Sequence, residues 1–219
     1  MTDTFIDCRS LGRTYQHGAT PIVALTGVTV TVQAGDRIAV VGPSGGGKST
    51  LLQLMAGLDL PTDGTITWPG LGPRETLRPR HIGYVFQTQS LLDPLTVVEN
   101  VALPLVLVGE SAEVAHARAL DVLGALALAG IAEKLPEELS GGQAQRVAVA
   151  RAFVGRPQVI LADEPTGQLD HPTAQHLFDV LFTALTGMDT ALVVATHDLK
   201  IAERLPVQWQ LIHGHLEVG

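Results

Sequence analysis

The chain has few cysteines and few basic residues. Cys8 is the one cysteine among 219 residues, which excludes an internal disulfide and suits a reducing compartment. The 14 Lys and Arg residues are outnumbered by 22 Asp and Glu, giving a net charge of −8. This balance argues against nucleic acid as the main partner and against binding to anionic lipid by charge alone.

Long uninterrupted apolar runs are also missing, although 46% of the residues are hydrophobic and the mean hydropathy is +0.26. The two longest apolar stretches, residues 101–108 and 120–132, are broken by Pro104, Asp121 and Gly124. Neither reaches the roughly 20 residues that span a bilayer, and no basic start followed by an apolar run indicates a signal peptide. The length suits one α/β domain with a helical insertion.

Residues 42–49 read Gly-Pro-Ser-Gly-Gly-Gly-Lys-Ser, the pattern G-x-x-x-x-G-K-S. An apolar β-branched run at 37–41 precedes them, and an unbroken run at 50–56 follows, so the glycines lie in a strand-to-helix turn. Glycines let backbone N–H groups curl around a phosphate at a helix N-terminus. Lys48 would reach the β- and γ-phosphates and Ser49 would ligate Mg²⁺. A flexible glycine-rich linker is the competing interpretation, and the helical run at 50–56 argues against it.

A second motif, Leu139-Ser140-Gly141-Gly142-Gln143, precedes a helical run at 144–152. Ser140 is suited to cap that helix, and the glycines leave its first N–H groups bare, which gives a second potential anion site. An ordinary capped helix after a glycine turn explains this segment equally well when it is taken alone.

With both motifs in this order, the chain resembles the ATP-binding cassette (ABC) ATPases, whose signature is LSGGQ. The resemblance runs from about Tyr15 to His197. It implies an α/β fold: a P-loop NTPase core with a mostly parallel sheet, a flanking antiparallel β-subdomain and an inserted helical subdomain.

The same resemblance implies a division of the chain. It gives a single domain over residues 1–219, with the core and the β-subdomain in 1–90 and 155–219. The helical subdomain, which carries the signature, occupies 91–154.

Two acids end the apolar run at 158–164, which indicates a buried strand. We predict that this strand lies beside the strand at 37–41 and delivers its carboxyl end to the phosphates. By resemblance, Asp163 holds Mg²⁺ through water and Glu164 polarises the attacking water. The alternative is a solvated pair of acids at a strand end.

The resemblance also gives roles to three residues whose types alone would indicate ordinary turn or packing positions. Gln87 follows an apolar strand at 82–86 and would sense Mg²⁺ and the γ-phosphate. His197 follows another apolar strand and would contact the γ-phosphate. Tyr15 would stack on the adenine ring, an interaction that tolerates different bases.

The predicted site is therefore extensive. The predicted catalytic residues are Glu164, His197 and Gln87, and the predicted Mg²⁺ ligands are Ser49, Gln87 and Asp163. The predicted nucleotide contacts are Tyr15, Gly42, Pro43, Ser44, Gly45, Gly46, Gly47, Lys48, Ser49, Thr50, Ser140, Gly141, Gly142 and Gln143.

Two further segments complete the set. Residues 167–170, Gly-Gln-Leu-Asp, resemble the D-loop that crosses a dimer interface, where Gln168 replaces the commoner Asn, Ser or Ala. His213 and His215 would share one face of a strand, but no acid or cysteine accompanies them, so we expect no metal there.

The remaining pattern predicts secondary structure. Residues 6–31 alternate as in an antiparallel sheet. Further predictions are helices at 100–107, 111–129 and 178–185, a strand at 192–195 and a last strand at 208–212.

The resemblance to the ABC ATPases implies an ATPase subunit of a membrane ABC complex on the cytoplasmic face of the cell membrane, using ATP and Mg²⁺. Its partners would be a second copy, paired head to tail, and integral membrane permease subunits. A soluble ABC-type ATPase in translation or DNA repair is the alternative. Residues 95–105 and 163–170 are similar to the lipoprotein-release, macrolide-efflux and cell-division group. The apolar segment 96–108 predicts a groove for a short helix of the membrane subunit.

Overall fold

The computed structural model describes residues 3–18, 20–88 and 90–218. Met1, Thr2, Ala19, Gln89 and Gly219 lie outside the described residues, so the ends of the predicted domain 1–219 do too. Among the described residues, no helix is long and apolar enough to cross a membrane.

The described chain contains nine strands and six α-helices. The strands are β1 (Thr4–His17), β2 (Thr20–Gln33), β3 (Arg37–Val41), β4 (Asp63–Thr67), β5 (Ile82–Val85), β6 (Val159–Asp163), β7 (Ala191–Thr196), β8 (Val207–Ile212) and β9 (His215–Val218). The helices are α1 (Lys48–Met55), α2 (Val97–Leu107), α3 (Ala112–Ala125), α4 (Gly141–Phe153), α5 (His171–Leu185) and α6 (Leu199–Ala202).

The central sheet has six strands in the order β5-β6-β7-β3-β8-β9, and only the β8–β9 pairing is antiparallel. The mostly parallel sheet is thus confirmed. The prediction that the strand ending in Asp163 lies beside β3 is wrong, because β7 separates β6 from β3. Asp163 nevertheless lies near the P-loop, since it is the last residue of β6 and the carboxyl ends of parallel strands share one edge of the sheet.

The two faces of this sheet bury two different cores. Ile38 and Val40 of β3 face α1 and the second sheet, whereas Ala39 and Val41 face the helical side. Every residue of β6 and β7 is buried, as expected for parallel strands covered on both faces. The second sheet, in the order β2-β1-β4, is antiparallel, as the alternation at 6–31 predicts.

Helices α2, α3 and α4 lie in the chain between β5 and β6 and pack on one another. Asn100, fully buried in α2, donates to the carbonyls of Leu92, Leu95 and Thr96 and accepts from the N–H of Leu92. Its amide therefore fixes the loop that leads from the end of β5 into α2.

Three predicted helices have different limits in the structure. The helix predicted at 178–185 begins earlier, at His171, because the side chain of Asp170 caps its first turn. The helix predicted at 100–107 begins at Val97, because Thr96 and Glu99 form a capping box. The helix predicted at 111–129 ends at Ala125. Ala127 adopts φ 55° and the N–H of Leu128 bonds to the carbonyl of Leu123, a Schellman ending without the usual glycine.

The strand predicted at 208–212 is present as β8, but the prediction that it is the last strand is wrong. His213 (φ 49°) and Gly214 (φ 78°) form a two-residue turn, and β9 returns beside β8. The two histidines at 213 and 215 therefore do not share a strand.

Candidate active site

The P-loop curls through residues 42–47 between β3 and α1, as predicted, and Lys48 and Ser49 begin the helix. Gly47 precedes the helix with φ 103°, and no side chain caps the helix or adds an acid to its first turn. The first N–H groups of an uncapped helix lack partners and carry partial positive charge. The turn is thus built to receive an anion.

The β8–β9 hairpin holds this loop from behind. The N–H of Gly214 donates to the carbonyl of Gly46 at 3.2 Å, and the carbonyl of Gly214 accepts from Thr26 at 2.9 Å. A Cβ placed on Gly42 would lie 2.0 Å from the carbonyl oxygen of Leu211. This support was not predicted from the sequence, because it depends on β9. The His213-Gly214 pair, which precedes an alternating segment, could have indicated the hairpin.

We expect Gly42→Ala to disrupt the P-loop. The added methyl overlaps the backbone of Leu211, so the free energy of unfolding should fall by about 1–3 kcal/mol and phosphate binding should be lost. Gly35→Ala is the control, because Gly35 lies in the turn before β3, has φ 80° and has nothing within 4 Å of its added methyl. Denaturant melts and calorimetric titration with ADP measure both effects. Equal behaviour of the two variants would contradict the steric argument.

Lys48, Glu164 and His197 meet above the P-loop. The ammonium of Lys48 donates to the carbonyls of Gly42 and Pro43 at 2.9 and 3.2 Å and lies 3.8 Å from Glu164 Oε1. The other oxygen, Oε2, lies 2.8 Å from Nδ1 of His197. Because a carboxylate only accepts, Nδ1 carries the proton in this pair. Glu164 is thereby oriented by a lysine on one side and a histidine on the other.

Glu164 also has an uncommon backbone. It follows the last residue of β6 with φ 49°, while its N–H bonds to the carbonyl of Ala195 in β7. Left-handed backbone at a non-glycine residue costs about 1–2 kcal/mol. Strain of this kind is concentrated at functional sites, where surrounding structure maintains it. Here it turns the side chain out of the strand direction toward Lys48.

Asp163 lies beneath this cluster and is 3% exposed. Burial raises the pKa of its carboxyl; Glu164 adds to this, while Ser49 and Lys48 oppose it. Its Oδ1 has no hydrogen-bond partner among the described residues. A buried carboxylate oxygen without a partner, near the hydroxyl of Ser49, is the donor chemistry that Mg²⁺ requires.

The geometry agrees with the comparisons. Residues 25–167 match the family model described as ABC transporter. A relative from Legionella pneumophila (strain Paris), the "Lipoprotein-releasing system ATP-binding protein LolD", is 43% identical over 99% of this chain and 98% of its own length. The chain belongs to the ABC transporter family. It is the ATPase subunit of such a transporter and hydrolyses ATP.

Other relatives of this ABC ATPase agree over similar lengths. The protein of the same name from Psychrobacter arcticus is 44% identical over 95% of this chain and 96% of its own. The solved "Dimeric structure of a post-hydrolysis state of the ATP-binding cassette MJ0796 bound to ADP and Pi" superposes with a TM-score of 0.89 at 35% identity. It covers 97% of this chain and 98% of that one.

The pocket above the P-loop of this ABC ATPase has a volume of about 230 Å³. Its lining includes the predicted Gln87 and Glu164 and most of the P-loop, together with three residues of β2 that residue patterns missed: Ile22, Val23 and Ala24. Tyr15 lies beside the pocket, directly opposite Ile22 in the β1–β2 pairing. The exposure of Ile22 and Val23, at 52% and 58%, was not visible from the sequence alternation.

The signature lies apart from this pocket. Ser140 and Gln143 form a capping box at the start of α4, with bonds of 2.9 and 3.2 Å between them. Gln168 lies against Gly141, where an added Cβ would be 2.3 Å from its amide oxygen. The unusual D-loop residue of this ABC ATPase therefore packs on the signature of its own chain.

Proposed function

We propose that the chain is the ATPase of a lipoprotein-releasing type of membrane complex and works at the cytoplasmic face of the membrane. The observation that carries its chemistry is the carboxylate of Glu164, held between Lys48 and His197 above an uncapped helix start. Relatives of nearly equal length that are named for lipoprotein release support the choice of cargo.

Mg²⁺ would be held by Ser49 and by Asp163, with Gln87 at the edge of the pocket. When bound, it neutralises charge on the phosphate oxygens and so favours phosphoryl transfer. The unpartnered oxygen of Asp163 supports this assignment.

The remaining groups divide the reaction between them. Lys48 and the first N–H groups of α1 bind the phosphates. Glu164 accepts a hydrogen bond from the attacking water and draws its proton. With Nδ1–H directed at Glu164, Nε2 of His197 is left for the γ-phosphate, to which it donates a hydrogen bond once the imidazole also carries a proton on Nε2. General base catalysis of this kind contributes roughly 10²- to 10⁴-fold.

A second copy would complete the site. The P-loop and the signature of one chain line different surfaces, so one nucleotide contacts both only if two chains supply them. A two-fold, head-to-tail pair meets this need twice. ATP then stabilises the closed pair, and hydrolysis removes that stabilisation.

The membrane subunit would dock on a groove of about 330 Å³ between the core and the helices of residues 91–154, which we propose to move as one subdomain. Leu92 and Leu107 line the groove and are 45% and 66% exposed, whereas Val97, Val98 and Val101 pack inside. Arg151 of α4 donates to Ser90 at 2.8 and 2.6 Å and so ties the signature helix to this surface. A short amphipathic helix is the occupant that an apolar groove accepts.

We expect Leu107→Asp to weaken assembly with the membrane subunits by about 10- to 30-fold, because it places a charge in the apolar groove. Co-purification of the complex from membranes measures this. Leu120→Asp is the matched control, since Leu120 is 37% exposed on α3 and does not line the groove. ADP binding by both isolated variants should equal wild type. Normal assembly of Leu107→Asp would reject this docking surface.

The proposed cargo is tested by reconstitution. The chain, purified with the membrane proteins that it retains, should release lipoproteins from proteoliposomes when ATP is added. Release that needs no ATP, or retention of ribosomes in place of membrane proteins, would contradict the proposal.

A further inference from the structure

Three side chains form a cluster beside the nucleotide pocket: Arg13 and Tyr15 of β1, and Asp59 in the loop after α1. Oδ2 of Asp59 accepts from the hydroxyl of Tyr15 at 2.8 Å and from Nε of Arg13 at 2.9 Å. Its Oδ1 lies 2.8 Å from a second guanidinium nitrogen. The Arg13 and Asp59 side chains are 22% and 20% exposed, so this bidentate pair is partly shielded from water.

Arg13 also covers one face of the tyrosine ring. Its guanidinium carbon lies 4.5 Å from the ring centroid of Tyr15, in a cation–π arrangement. With its hydroxyl held by Asp59 and one face covered by Arg13, the ring is fixed in one orientation. The opposite face of the Tyr15 ring is therefore the face that can stack on another group.

Asp59 connects this ring to the P-loop helix. Its backbone N–H lies 3.4 Å from the carbonyl of Gln53 in α1, and its Oδ1 accepts from Leu60 at 2.7 Å. Burial raises the pKa of Asp59, but the hydrogen bonds from Leu60, Tyr15 and Arg13 outweigh this effect and hold the pKa below its ordinary value. The carboxylate is therefore charged at neutral pH and ties β1 to the helix that starts at the phosphate site.

The register of the antiparallel sheet brings the ring to the pocket. Tyr15 pairs directly with Ile22, and paired residues project from the same face of a sheet. Ile22 lines the nucleotide pocket. A base that extends from phosphates on the P-loop would thus meet Ile22 and Tyr15 together.

We propose that Arg13 and Asp59 are positioning residues for base recognition: they hold the ring of Tyr15 so that its open face stacks on the base of the bound nucleotide. The inference rests on the proposed nucleotide site. It can be tested separately, because the cluster should affect binding of the base, whereas the P-loop binds the phosphates.

Asp59→Asn in the full chain tests this. We expect the affinity for Mg-ADP to fall about fivefold, a part of the energy of base stacking, while the affinity for Mg-pyrophosphate stays unchanged. Tyr15→Phe removes only the hydroxyl and should give a smaller loss, about twofold, with the same discrimination. Asp7→Asn is the matched control, because it breaks a similar pair with Arg9 on β1 without touching Tyr15. Thermal melts establish that each variant is folded.

A double variant shows whether Asp59 acts through the ring. Tyr15→Ala should weaken ADP binding about 10- to 100-fold, and adding Asp59→Asn should change it no further. Equal losses for ADP and pyrophosphate, no loss for either, or a full Asp59→Asn effect without the ring would each overturn the inference. Wild-type chain that binds neither ligand would overturn the proposed nucleotide site and the inference with it.

Discussion

Glu164→Gln should lower ATP turnover by about 10²- to 10⁴-fold while ATP binding persists. The amide keeps the shape of the side chain between Lys48 and His197, but it cannot draw a proton from water. With Mg²⁺ and ATP present, the chain should then accumulate as a stable dimer, because the reaction that separates the copies is blocked. Phosphate release and light scattering after gel filtration measure the two effects.

Glu203→Gln is the control for this experiment. Glu203 is an exposed acid just after α6, and its substitution should change neither turnover nor assembly. A Glu164→Gln variant with wild-type turnover would contradict the assigned role of Glu164. A variant that is inactive but remains monomeric with ATP would contradict the proposed head-to-tail pair and leave the role in hydrolysis intact.

Lys48→Ala should weaken ATP binding itself, by about 10- to 100-fold, since hydrogen bonds to charged groups contribute about 1.5–3 kcal/mol. The lysine is 7% exposed and is held by the carbonyls of Gly42 and Pro43, so it is already directed into the loop before nucleotide arrives. Calorimetric titration with ADP measures the loss.

Lys134→Ala provides the comparison for Lys48→Ala, because Lys134 is exposed in the helical region. Its ADP affinity should match wild type. Since the Lys48 ammonium also lies near Glu164, its loss should leave Glu164 buried without a nearby cation. Unchanged affinity in Lys48→Ala would mean that the phosphates bind elsewhere.

Local sequence predicted much of this site because the chemistry is local. The P-loop needs glycines, a lysine and a helix start within a few residues, and Glu164 directly follows the end of a buried strand. The order of β6 and β7 was not predictable in this way, since each apolar strand suits any central position of a parallel sheet. Nor was the Schellman ending at Ala127, where a residue other than glycine adopts φ 55°.

The contacts that hold Tyr15 could not be predicted from the sequence for a different reason. Arg13 and Asp59 are 46 positions apart, and their pairing exists only once β1 has been placed against the loop after α1. Either residue alone reads as an ordinary surface charge. The predicted exposure of Tyr15 to a base likewise depended on the resemblance, because only the register with Ile22 places the ring beside the pocket.

The hairpin of β8 and β9 has a consequence for how the protein is made. Residues 42–49 leave the ribosome long before the Gly214 turn, whose N–H donates to the carbonyl of Gly46 in the loop. A nascent chain can form β3 and α1, but it lacks the backbone groups that fix the glycines in a phosphate-binding curve. We therefore expect the ability to bind ATP to be acquired late in synthesis, after the β8–β9 hairpin has formed.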